Sequence, residues 1–109
     1  TGVGNFHVWH QCVVLVDQRD ELRRQLSERG IGCAVFYDPP QHLQPCFADL
    51  GYRRGDFQVT EWIGQHGLSI PCWPEMTAAQ RARVADSILE VVAQGAGQHF
   101  PADYSECTE

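Results

Sequence analysis

The chain has 109 residues, 43% of them apolar and 20% charged, with a formal net charge of -6. That length suits one domain around one core, and the mixture excludes a disordered or fibrous chain. The acidic balance and the scattering of the eight arginines exclude a basic stripe for nucleic acid, and the longest apolar run, Cys12 to Val16, is far short of the ~20 residues of a membrane helix.

After the loop-like Thr1 to Asn5, the stretch Phe6 to Val16 is rich in Val, Phe and Trp, which predicts a first strand buried on both faces. Asp17 is placed to cap a helix with Asp20 and Glu21 in its first turn and Leu22 and Leu26 on its inner face. Gly30 supplies the left-handed residue that stops it. Ile31 to Tyr37 reads as a second strand, ended by Pro39-Pro40 because proline gives a ladder no donor. An irregular stretch follows from Gln41 to Asp56, with a short helix over Cys46 to Leu50. Val59, Trp62, Ile63 and His66 recur at helical spacing, with Gly67 set to end that helix before a third strand, Leu68 to Ile70, closed by Pro71. Thr77 and Gln80 fit a capping box at the start of the longest helix, whose Val84, Ala85, Ile88, Val91 and Val92 form one stripe toward the sheet.

The order of elements predicts an α+β fold: a small three-stranded, mainly antiparallel sheet with helices packed on one side. Residues 1–109 read as a single domain, with a folded core over 6–95 and a frayed polar tail over 96–109. The five cysteines, Cys12, Cys33, Cys46, Cys72 and Cys107, are odd in number and never spaced C-x-x-C, so free thiols and a cytoplasmic location are expected. Every basic residue is an arginine, and without a lysine the chain holds no side-chain amine for covalent chemistry.

The segments His7 to Val14, Phe36 to Pro45, Leu50 to Glu61 and Leu68 to Thr77, taken in one register, resemble the C-terminal small domain of the DegT/DnrJ/StrS family of nucleotide-sugar aminotransferases. His7-Val8-Trp9-His10-Gln11-Cys12-Val13-Val14 resembles the family's first strand, followed by the family-like Arg19-Asp20-Glu21-Leu22 and Glu28-Arg29-Gly30-Ile31-Gly32. Phe36 to Pro45 resembles its H-Y-P-x-P-L-H-x-Q-P loop, with Phe36, Asp38 and Gln41 departing from the usual histidine, proline and leucine. Leu50-Gly51-Tyr52, continued by Gly55-Asp56-Phe57-Gln58-Val59-Thr60-Glu61, resembles its L-G-Y…G-D-F-P-x-x-E, and Leu68 to Thr77 resembles its L-S-L-P-x-x-P-E-L-T.

The resemblance implies a pyridoxal-phosphate enzyme that moves an amino group from an amino acid to a keto-sugar nucleotide. It places the cofactor and the Schiff-base lysine in a large domain outside these residues, so this chain is expected to be inactive by itself and to hold no cofactor. The family also contains sugar dehydratases with histidine in place of that lysine. The expected partners are the large domain or a second copy of this chain, with a nucleotide sugar as the possible ligand and neither nucleic acid nor a membrane. A free-standing, non-catalytic binding or oligomerisation module derived from the same domain is the alternative.

No catalytic, cofactor-binding or metal-ligating residue is assigned. Tyr37 and His42 match the two loop positions that would point into the substrate pocket, where each can hydrogen-bond a sugar or phosphate oxygen. The plain alternative is a strand-end tyrosine and a solvated loop histidine. His7, His10 and Cys12 do not make a metal site, because strand alternation puts His7 on the opposite face from the other two and no fourth ligand follows at a usual spacing. Trp9, Trp62 and Trp73 are too large to be buried together in so small a domain and are candidate anchors of a dimer contact.

Overall fold

A computed structural model describes residues 2–6, 8 and 10–95 of the chain. Expectations that fall on His7, Trp9, Cys107 and the segment 96–109 lie outside the described residues.

The elements are β1 (Cys12–Leu15), α1 (Arg19–Glu28), two 3-10 helices (Gln41–Leu43 and Pro45–Leu50), α2 (Gln58–His66), β2 (Gly67–Ile70) and α3 (Ala78–Ala93). The architecture is α+β, as expected. The two strands pair antiparallel, with Cys12 opposite Ile70 and Leu15 opposite Gly67. The first strand is thus shorter than Phe6 to Val16, because β2 ends at Ile70 and Pro71 follows it, which stops the ladder at Cys12. It is also not buried on both faces: Val13 is half exposed, and Phe6 and Val8 are open to solvent.

The expected third strand is present as β2, whereas the expected second strand, Ile31 to Tyr37, shrinks to one antiparallel bridge between Ala34 and Ser69, closed by Ala34 N–H to Ser69 O at 3.0 Å and Ser69 N–H to Ala34 O at 2.8 Å. Beyond Val35 the chain leaves the sheet edge, and the Phe36 and Tyr37 rings pack edge to face, 5.5 Å apart, over a cavity. Among the described residues the sheet therefore has two strands and one bridge.

Gly30 stops α1 as expected. Its φ of 74° lets Gly30 N–H reach Ser27 O and Ile31 N–H reach Leu26 O, both at 2.9 Å, which is a Schellman closure. At the other end, Gln18 and not Asp17 is the N-cap, with no side-chain cap bond. Asp17 Oδ1 lies instead 3.8 Å from Nε2 of His66. The capping box of α3 is present: Thr77 Oγ1 accepts from Gln80 N–H at 3.2 Å, and Gln80 Oε1 accepts from Thr77 N–H at 2.8 Å.

The core is Leu22 and Leu26 from α1, Ile31, Leu68 from β2, Met76, and Val84 and Val91 from α3. Helix α3 lies against α1, and an Arg29–Glu90 ion pair of 2.7 Å spans the two. Within its expected stripe Ala85 is exposed, and Ser87 takes the buried position.

Helix α2 departs most from the expected pattern. It buries Glu61 and Gly64, while Val59 and Ile63 are exposed. Gly67 follows it with an extended backbone, φ -76°, and not in the left-handed form expected of a helix stop. A side chain there would bring its Cβ to 2.8 Å from Ile63 O, so a glycine is needed where helix runs directly into strand.

Candidate functional site

The loop after Val35 crosses α2 at Gly64. A Cβ on Gly64 would meet Tyr37 O at 2.8 Å and Pro40 Cγ at 3.3 Å, so only glycine lets the loop seat this closely on the helix. From the far side, the buried Arg19 of α1 holds the same junction. Its Nη1 donates to Gly64 O at 2.9 Å and to Gly67 O at 3.3 Å, and its Nη2 donates to Asp38 Oδ2 at 2.8 Å. Asp38, a departure from the family pattern, is thus the loop's tether to the core.

Seated in this way, the loop and α2 enclose a cavity of about 500 Å³ lined by Phe36, Tyr37, Pro40, Gln41, His42, Phe47, Leu50, Tyr52, Phe57, Thr60, Ile63 and Gly64. Five aromatic rings beside a few polar tips fit the usual make-up of a small-molecule site, apolar walls with sparse hydrogen-bonding groups. Both loop residues singled out in the sequence, Tyr37 and His42, line it. Tyr37 is half exposed, whereas the His42 side chain is only 8% exposed.

His42 is fixed from two sides. Its ring meets Phe57 edge to face at 4.9 Å, and Phe57 in turn meets Tyr52 at 5.1 Å. Its Nε2 lies 3.1 Å from Glu61 Oε1. The same Oε1 accepts the Gly55 backbone N–H at 2.7 Å. That amide is brought round by the turn 53–56, in which Asp56 N–H reaches Arg53 O and Gly55 adopts a φ of 97°. The Gly55 N–H holds the Glu61 carboxyl below the usual carboxylate range, with His42 and the Phe57 backbone acting in the same direction and burial opposing them. Glu61 is therefore an anion at neutral pH.

Glu61 and Arg19 were not singled out by sequence reasoning, which assigns helical charges to solvent by default. The signal for Glu61 is its place closing the Gly55-to-Glu61 segment, one of the four that carry the resemblance. The remaining candidates lie elsewhere. Trp62 stacks on His66 with ring centroids 4.3 Å apart, Trp73 is half exposed, and His10 is exposed near the start of β1. Burial pushes the Cys33 thiol up, away from reactivity. Among the described residues, no helix is long and apolar enough to cross a membrane.

Comparisons with known proteins bear on the same residues. Over 87 residues the chain is 41% identical to a pleiotropic regulatory protein of Geobacillus stearothermophilus, covering 80% of this chain and 23% of that protein. It is 36% identical over 83 residues to a dTDP-3-amino-3,4,6-trideoxy-alpha-D-glucose transaminase of Streptomyces venezuelae, covering 76% and 22%. The crystal structure of S. venezuelae DesV in complex with a ketimine intermediate superposes with a TM-score of 0.78 and 34% identity, over 84% of this chain and 24% of that one. The chain thus spans about a quarter of the length of the relatives it matches. Residues 2–89 match the pattern of the DegT/DnrJ/EryC1/StrS aminotransferase family, to which this chain belongs.

Proposed function

We propose that this chain is the C-terminal small domain of a pyridoxal-phosphate-dependent sugar aminotransferase, and that the Phe36 to Pro45 loop with α2 forms one wall of its nucleotide-sugar site. The observation that carries this reading is the convergence of Tyr37 and His42, matched to the family's loop, on one aromatic cavity. The Tyr37 hydroxyl and the His42 ring would bind and orient the sugar or its phosphates, and the aromatic walls would exclude water. The cofactor supplies the electron sink in such enzymes. Its covalent attachment does not fit these residues, since the chain contains no lysine, and the amine would come from the large domain. The chain alone is inactive on this reading and works in the cytoplasm.

The exposed Val13 and Ile63 flank Gly67, each approaching a Cβ placed there to 3.6 Å, and with Val59 and Trp73 they leave apolar surface uncovered. In the absence of the large domain, a second copy of the chain would cover it as a symmetric dimer.

Calorimetric titration with dTDP-glucose and UDP-N-acetylglucosamine tests the wall. Tyr37→Phe and His42→Ala are each expected to weaken binding up to about tenfold, the worth of one hydrogen bond. Unchanged affinity in both variants would reject the assignment. Reduction with borohydride in the presence of pyridoxal phosphate is expected to leave no stoichiometric side-chain adduct.

A further inference from the structure

We propose that Glu61 is a positioning residue for His42: it keeps the ring proton on Nε2 and leaves Nδ1 as an acceptor for a ligand hydroxyl. The inference rests on the reading of the cavity as a substrate wall and adds to it the class of group that His42 meets.

An ionised carboxylate only accepts hydrogen bonds, so the proton shared across the 3.1 Å contact between Glu61 Oε1 and His42 Nε2 belongs to the ring. In the neutral imidazole the other nitrogen then carries the lone pair. Glu61 cannot turn away easily, because its Oε1 is also bonded to Gly55 N–H at 2.7 Å. The ring cannot turn over easily either, being packed edge to face on Phe57 with an interplanar angle of 68°. Both partners are shielded, with side-chain exposures of 8% for His42 and 11% for Glu61, so water competes little for the bond. Phosphate oxygens accept, as Nδ1 does in this form, and would meet lone pair against lone pair. A sugar or ribose hydroxyl donates and fits.

The test is long-range 15N–1H correlation of the histidine rings in the 109-residue chain. Without ligand, the neutral ring of His42 is expected as the Nε2–H tautomer. A neutral ring with its proton on Nδ1 overturns the proposal. In Glu61→Gln the tautomers are expected to mix while amide signals of the α1 and α3 core stay in place; an unchanged tautomer in that folded variant also overturns it. Should the variant fail to fold, the unsubstituted chain still gives the answer. Saturating dTDP-glucose is expected to move Nδ1 more than Nε2, and the reverse contradicts the proposal. Absence of any binding in calorimetry would instead count against the substrate wall, with the role of Glu61 still decided by the tautomer.

Discussion

Helices α1 and α2 are nearly equal in length, ten residues and nine, yet they present their apolar residues in opposite senses. Helix α1 points Leu22 and Leu26 into the core, and both are completely buried. Helix α2 turns Glu61 and Gly64 inward and leaves Val59 and Ile63 outside. The same apolar periodicity thus builds a core in one helix and a surface in the other. What decides between them is the loop on α2: its close seat on Gly64 and its ion pair to Arg19 fill the inner face with backbone and charge.

The largest expected effect separates the two helices by stability. Leu26→Ala should cost about 2–5 kcal/mol, as truncation of a fully buried leucine does, whereas Ile63→Ala should stay within about 0.5–1 kcal/mol. Urea unfolding of both variants checks this, and similar losses would mean that α2 is a core helix after all. Smaller, and aimed at the loop itself, is Gly64→Ala. Its new Cβ would press on the Tyr37 carbonyl, and overpacking of this kind costs about 1–3 kcal/mol. Nucleotide-sugar affinity should fall with it, because the loop must lift; full affinity would show that the cavity does not depend on this seat.

The smallest effect is the acid limb of the stability curve. The Glu61 carboxyl titrates below its ordinary value of 4.5 in the folded chain, so its contribution is fully present above that pH and is lost as pH falls through the lower, folded value. Urea midpoints should therefore hold from pH 7 to pH 5 and decline below about 4.5, with a shallower decline in Glu61→Gln than in the parent. Parallel declines would show that Glu61 is not held by Gly55 and His42.

Much of the frame was legible in the sequence because it is written in local chemistry. Gly30 and the Thr77–Gln80 pair act within a single turn of chain, and Leu22, Leu26, Val84 and Val91 follow helical spacing. The loop residues Tyr37 and His42 were legible through the resemblance alone, since nothing in their spacing says that they share a cavity. Contacts across many residues were not legible. Arg19 reaches Asp38 and Gly64, and Glu61 reaches back to His42, over separations that no periodicity encodes. The extent of the sheet was overestimated for a similar reason: β propensity in Phe6 to Val16 and in Ile31 to Tyr37 does not say how far the partner strand runs before Pro71 limits it.

On the proposed reading, the loop and α2 form the ligand-facing side and α1 and α3 form the closed one. Amide chemical-shift mapping of the labelled chain with dTDP-glucose tests it directly. Perturbations are expected to be confined to the loop after Val35, the turn 53–56 and the start of α2, with the amides of Leu22, Leu26, Val84 and Val91 unmoved. Perturbations centred on Trp73 or on the α1–α3 side, with Tyr37 and His42 silent, would contradict it.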